Sequence, residues 1–327
     1  MPERLPAVRV RGLEKTYGEV RAVNGIDLDV DEGEMFGFLG PNGAGKTTAI
    51  KILCTIADAT AGTATVAGTD VRTQRAEVRR RIGVVFQEPT LDSYLTAEQN
   101  LRFHGELYGM PRRQLRERIT EVLEMVGLTQ RRDDPVLKFS GGMKRRLEIG
   151  RGLLHAPKVL FLDEPTIGLD PQTRASIWDY IATLRQEQDI TIFVTTHYMD
   201  EAEHCDRISI MNRGDIVVTG TPDALKSSVG ADRVRIRTED DHAAIRALRE
   251  RFELDAAVHD GMVTFSVGDG AQFVPRLFAE LGIAIDTVTV TRPSLDDVFM
   301  VYTGRTMADT EKAEGASVMM RAMAARR

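Results

Sequence analysis

Residues Gly40-Pro41-Asn42-Gly43-Ala44-Gly45-Lys46-Thr47 follow the pattern GxxxxGK(S/T). The apolar run 36–39 before them reads as a buried strand, and 47–53 after them reads as a helix. A backbone cradle for phosphate oxygens requires this order. The glycines let successive N–H groups close around an anion, and the helix N-terminus adds its partial positive charge. In such a cradle Lys46 reaches the β- and γ-phosphates and Thr47 offers its hydroxyl to Mg²⁺, so Gly40 to Thr48 is the expected nucleotide-contacting stretch. An ordinary glycine turn is the competing reading, and the flanking strand and helix count against it.

Four further stretches carry chemistry. Val159-Leu160-Phe161-Leu162-Asp163-Glu164-Pro165 is an apolar strand that stops at two carboxylates, which places acids at the carboxyl edge of a parallel sheet. There Asp163 would orient Mg²⁺ and Glu164 would polarise an attacking water. Taken alone, a strand followed by Asp-Glu is more often a helix cap; beside a phosphate loop it gains weight. Phe139-Ser140-Gly141-Gly142-Met143-Lys144-Arg145-Arg146 is a second glycine turn opening a helix, which by itself could be a capped flexible turn. Gln87 and His197 are polar residues just past predicted strands, where a shared ligand would sit.

Short apolar runs at 34–39, 82–86, 159–162, 190–195 and 208–211 alternate with helical patterns, which predicts a mainly parallel α/β sheet covered on both faces. Between Thr96 and Gly127 the alternation gives way to amphipathic helices at 97–108 and 112–126, an all-helical insertion. After Gly220 the pattern restarts. Strands at 233–238, 256–259, 263–267 and 285–290 with helices at 241–252 and 271–281 run β-α-β-β-α-β, the ferredoxin-like order, and a closing helix at 293–302 has Pro293 near its start. The expected division is a cassette over 1–230 with a helical subdomain near 96–155, a small α+β domain over 231–302 and a tail over 303–327. In the tail, Met319, Met320, Arg321 and Met323 read as a partner-binding helix or as a frayed terminus.

Composition excludes several classes. With 43 Lys and Arg against 49 Asp and Glu the net charge is −6, which argues against coating a nucleic-acid backbone. Cys54 and Cys205 stand far apart with no CxxC spacing, so neither a disulfide framework nor a zinc site is expected and a reducing compartment is. The opening residues carry no apolar leader, and no run approaches the roughly 18 to 20 apolar residues of a membrane span. The expectation is a cytosolic chain that cannot cross a bilayer by itself.

In their order these motifs resemble the ATP-binding cassette ATPases, over about residues 6 to 220. Lys15-Thr16-Tyr17-Gly18 resembles the adenine-stacking loop, Gly40 to Thr47 the phosphate loop, and Gln87 the glutamine loop. Ser140-Gly141-Gly142 resembles the family signature, Asp163-Glu164 the magnesium and catalytic acids, Gly168-Leu169-Asp170 the loop after them, and His197 the switch histidine. The resemblance implies a P-loop NTPase with ATP and Mg²⁺ as cofactors. Tyr17, Gly40, Pro41, Asn42, Gly43, Ala44, Gly45, Lys46, Thr47, Thr48, Ser140, Gly141, Gly142 and Asp170 would bind nucleotide, Thr47, Gln87 and Asp163 would hold the metal, and Glu164, His197 and Gln87 would serve catalysis. It also implies a head-to-tail homodimer, each ATP lying between one copy's phosphate loop and the other's signature. Met143 departs from the family's usual Gln and Phe139 from its usual Leu, which puts one polar contact across that interface in doubt.

The variants Thr-Ile-Gly-Leu-Asp, Ser-Gly-Gly-Met-Lys-Arg-Arg-Leu and Arg292-Pro293-Ser294-Leu295-Asp296-Asp297-Val298-Phe299 with Thr303-Gly304-Arg305 resemble the daunorubicin/doxorubicin resistance ATPase subfamily. That resemblance implies a separate integral membrane permease as partner, drug or antibiotic export, and a place at the cytoplasmic face of the cell membrane. Leu295 and Phe299 also read simply as helix packing. Leu91, Tyr94 and Leu95 read equally as a groove for a partner helix or as internal core, and the resemblance favours docking. A cassette working in DNA repair or translation control is the alternative. Repair members separate the phosphate loop and signature by long coiled coils, whereas Ser140 follows Lys46 by 94 positions, and translation-control members carry two cassettes where this chain has one.

Overall fold

Unbroken apolar runs that end on a polar residue build the parallel heart of the chain. The computed structural model describes residues 6–259 and 261–304. Two compact units part between Thr221 and Pro222. The first runs β1 (Val8–Tyr17), β2 (Val20–Val30), β3 (Met35–Leu39), α1 (Lys46–Leu53), β4 (Ala61–Val66), β5 (Thr69–Asp70), α2 (Arg75–Arg81) and β6 (Ile82–Val85). Helices α3 (Ala97–Leu107), α4 (Arg112–Met125) and α5 (Gly141–Leu153) follow, then β7 (Val159–Asp163), α6 (Pro171–Gln188), β8 (Thr191–Thr196), α7 (Met199–Ala202), β9 (Arg207–Asn212) and β10 (Asp215–Gly220).

The main sheet has the order β10-β9-β3-β8-β7-β6, parallel throughout except for the antiparallel edge strand β10. Every position of β3, β7 and β8 is buried, which is why these strands read as continuous apolar runs and not as alternation. Phe193 on β8 sits at the centre, its ring 5.3 Å from Phe36, 5.7 Å from Phe38 and 5.4 Å from Phe161.

A second, antiparallel sheet in this unit, ordered β2-β1-β4-β5, stands beside the mainly parallel sheet expected from sequence and was not anticipated there. The physical reason lies in β1, whose register with β2 slips at three places between Val10 and Thr16. Bulges erase the two-residue period that would announce such a strand. The helical insertion packs α3, α4 and α5 around Leu101, Leu115, Ile119, Val122 and Leu147. Helix α3 opens on a capping box in which Thr96 and Gln99 exchange side-chain-to-backbone bonds.

The second unit comprises α8 (Pro222–Val229), β11 (Asp232–Thr238), α9 (Asp241–Phe252), β12 (Ala256–His259), β13 (Met262–Val267), α10 (Gly270–Glu280), β14 (Ile285–Thr291) and α11 (Leu295–Thr303). Its antiparallel sheet has the order β12-β13-β11-β14, the split βαβ arrangement. Val234, Ile236, Val263 and Phe265 join Ala244, Leu248 and Leu277 from the helices in its core. Helix α8, counted with the cassette in the sequence reading, falls in this unit and packs with α11. Helix α11 starts after Pro293, capped by Ser294 in a box with Asp297. Residues Met319, Met320, Arg321 and Met323 of the expected tail, and Arg305, lie outside the described residues.

Because Phe193 contacts three other rings at the sheet centre, Phe193→Ala is expected to cost about 3–5 kcal/mol of stability in chemical denaturation. An unchanged denaturation midpoint would contradict this packing.

Candidate active site

Parallel pairing in register brings four strand ends to one edge. Leu39 pairs with Thr196, Asp163 with Thr195, and Val85 with Leu162. The residues that follow each strand therefore emerge together at the carboxyl edge, where open α/β sheets bind ligands.

The loop 40–45 turns from β3 into α1 through two positions that only glycine can fill. Gly45 is the N-cap of α1 with φ of 109°, and a Cβ there would lie 2.2 Å from the Ala22 carbonyl oxygen. A Cβ on Gly40 would lie 2.2 Å from the Met211 carbonyl oxygen. Lys46 curls back over the loop, its Nζ donating to the Gly40 carbonyl at 2.6 Å and the Pro41 carbonyl at 3.0 Å, and standing 3.5 Å from Glu164 Oε1. One cavity is lined by residues 42–48 together with Ala22, Gln87 and Glu164.

Asp163 Oδ1 accepts from Thr195 Oγ1 at 2.5 Å and from Thr47 Oγ1 at 3.2 Å. Burial pushes its carboxyl above the usual range, aided by the neighbouring Glu164 charge and opposed by the two hydroxyls and Lys46. Glu164 has a left-handed backbone, φ 46°, and its N–H donates to Thr195 Oγ1 at 3.0 Å and the Thr195 carbonyl at 3.2 Å. Burial acts to raise its carboxyl as well, but His197 and Lys46 outweigh burial and hold it below the ordinary value. His197 Nδ1 lies 3.3 Å from Glu164 Oε1. Glu164 Oε2 is buried without a hydrogen-bond partner among the described residues.

Gly40 to Thr48, Gln87, Asp163, Glu164 and His197 thus converge. Other sequence candidates stand apart from them in this chain. Tyr17 is half-exposed at the end of β1, with the Lys15 ammonium 4.8 Å from its ring centre. Ser140 caps α5 by accepting from the Met143 N–H at 3.3 Å, and Gly141 and Gly142 form the first turn of that helix. Asp170 caps α6, its carboxylate accepting from Thr173 N and Oγ1 at 3.0 and 2.6 Å. None of these lines the phosphate-loop cavity.

The structure adds residues that sequence reading passed over. Thr195 bonds both acids, and its only signal was its place two residues before His197 at the end of a strand. Glu201, buried on α7, accepts from Thr166 Oγ1 and, at 2.6 Å, from Thr196 Oγ1, so it joins the segments after β7 and β8. A backbone anion cradle, an amine, hard-oxygen donors and an ionised carboxylate with one oxygen unoccupied by protein donors suit transfer of a phosphoryl group to water.

Thr195→Val removes a donor to Asp163 and an acceptor of the Glu164 N–H while keeping the shape. It is expected to cost about 1–3 kcal/mol in denaturation, and an unaltered midpoint would contradict these bonds.

Residues 23–167 match the ABC transporter family, and residues 220–303 match the family described as ATP-binding protein DrrA1-3-like, C-terminal domain. The chain is 42% identical over 321 residues to daunorubicin resistance ATP-binding protein DrrA2 of Streptomyces coeruleorubidus, covering 95% of this chain and 99% of that protein. It is 38% identical over 311 residues to linearmycin resistance ATP-binding protein LnrL of Bacillus subtilis, covering 92% of this chain and all of that protein. Among solved structures, cbiO1 from Clostridium perfringens, part of the ABC transporter complex cbiONQ, superposes with a TM-score of 0.64 at 28% identity, covering 76% of this chain and 96% of that one. Similar across nearly its whole length to such ATP-binding proteins, the chain belongs to the ABC transporter family and is an ATP-hydrolysing member of it.

Proposed function

We propose that the chain is the ATPase subunit of an exporter that moves a drug, antibiotic or other hydrophobic compound through a separate membrane permease, acting at the cytoplasmic face of the membrane. One observation carries this reading. Both units align from end to end with ATP-binding proteins named for drug resistance, and no helix among the described residues is long and apolar enough to cross a membrane. The net charge of −6 gives no support to a nucleic-acid partner.

In the catalytic cycle Gly40 to Thr48 hold the phosphates of ATP, with the Lys46 amine exchanging its loop carbonyls for phosphate oxygens. Asp163, Thr47 and Gln87 offer the hard-oxygen set that suits Mg²⁺, and the contact between Asp163 Oδ1 and Thr47 Oγ1 at 3.2 Å supports a shared ion. When bound, the ion neutralises charge on the β- and γ-phosphates. Glu164 takes a proton from water through Oε2 while His197 and Lys46 hold Oε1. The family resemblance assigns Ser140, Gly141, Gly142 and Asp170 to a site completed by a second copy and Tyr17 to the adenine, and their place outside the phosphate-loop cavity of their own chain is compatible with that assignment.

For the permease, Leu91 packs inward against the helical cluster and Leu95 is half-buried, whereas Tyr94 is 85% exposed. Tyr94 with Phe103 and Leu107, both exposed on α3, offers an apolar contact to a membrane subunit. Copurification from native membranes tests the partner, and recovery with no integral membrane protein would count against export.

Glu164→Gln keeps the shape and loses the base. Turnover is expected to fall at least about 100-fold, with ATP retained and the protein sedimenting as a nucleotide-bound dimer. Wild-type turnover in that variant would remove Glu164 from its role.

A further inference from the structure

Helix α5, capped by Ser140, carries Arg145, a buried arginine. All five of its N–H donors are engaged, the full capacity of a guanidinium. Nε donates to the Pro165 carbonyl at 2.5 Å, and Nη2 to the carbonyls of Asp163 at 3.3 Å and Glu164 at 3.2 Å. Nη1 donates to the Phe86 carbonyl at 2.7 Å and to Glu148 Oε2 at 3.1 Å. Glu148, three residues further along the same helix and equally buried, accepts the Thr90 N–H on its other oxygen at 2.7 Å.

We propose that Arg145 and Glu148 form a positioning pair for ATP hydrolysis, a buried ion pair on α5 that sets the placement of both Glu164 and Gln87. The inference rests on the reading of Glu164 as the base. Three observations carry it. The left-handed backbone of Glu164 is a conformation that persists only where its surroundings over-determine it. Thr195 holds its N–H and Arg145 holds its carbonyl, with the carbonyls on either side bound by the same guanidinium. Second, Gln87 lies between two anchors of the pair, the Phe86 carbonyl on Arg145 and the Thr90 N–H on Glu148. Third, a buried ion pair is a poor device for stability, since apolar residues of similar volume often serve as well or better. Its five-way geometry is what an apolar replacement could not supply. Because α5 opens with Ser140, Gly141 and Gly142, the pair also joins the signature turn to this chain's own catalytic carboxylate through a single rigid helix.

The test uses the full-length chain and reads kcat and KM for Mg-ATP, the Kd of a fluorescent ADP analogue, and the thermal midpoint. Arg145→Met leaves Glu148 buried without its cation, so both kcat and midpoint are expected to fall. The double variant Arg145→Met with Glu148→Leu removes the stranded charge. Its midpoint is expected to recover towards wild type while kcat remains at least about tenfold low and the Kd stays within about twofold. Arg145→Lys keeps the charge but presents its donors from one nitrogen, which cannot span three segments, and is expected to show the same loss of kcat at unchanged Kd. Recovery of kcat together with the midpoint in the double variant, wild-type kcat in Arg145→Lys, or a Kd that worsens in step with kcat would overturn the proposal. Glu164→Gln measured in parallel separates the two readings. Normal turnover there removes the base on which the pair acts, whereas a dead Glu164→Gln beside a fully active double variant overturns the pair alone.

Discussion

The register between β7 and β8 is the constraint on which the site depends. Asp163 and Thr195 are paired residues on adjacent parallel strands, so the hydroxyl of one reaches the carboxylate of the other without a loop between them. The same ladder sets Thr196 beside Leu39, the last residue before the phosphate loop. A slip of one residue along β8 would turn Thr195 to the other face, taking with it the bonds to Asp163 and to the Glu164 N–H. Rigid, fully buried strands fix these positions better than loops could, and the aromatic packing around Phe193 holds the strands together.

On that frame the electrostatics balance locally. Two adjacent carboxylates at a buried edge repel one another, and the chain treats them differently. Asp163 is surrounded by hydroxyls and is pushed towards protonation by burial and by its neighbour. Glu164 sits between Lys46 and His197 and stays ionised despite burial. Lys46 meanwhile donates to the loop's own carbonyls and lies beside Glu164, which holds the amine over the phosphate loop.

Much of this was legible in the residues. Gly40 to Thr47 announced itself because the backbone demands glycine at Gly40 and Gly45 for steric reasons that leave no substitute. The strands β3, β7 and β8 were legible because burial on both faces leaves an uninterrupted apolar run. The ferredoxin-like order of the second unit could be read because its strands alternate cleanly, as in β11. The antiparallel sheet was not, since bulges in β1 hide its period. Thr195, Glu201 and Arg145 escaped notice because their importance is a matter of three-dimensional bonding. A threonine in an apolar strand, a glutamate in a short helix and an arginine in a basic run each look like ordinary choices until their partners are seen.

The most direct measurement is a structure of the Glu164→Gln chain with Mg-ATP. The phosphate tail is predicted to lie within Gly40 to Thr48, with Lys46 Nζ moved from the Gly40 and Pro41 carbonyls to within about 3 Å of phosphate oxygens. Residue 164 is predicted to face the terminal phosphate beside His197. Nucleotide bound away from the loop, or a Lys46 amine that keeps its carbonyl bonds while ATP is present, would contradict the account.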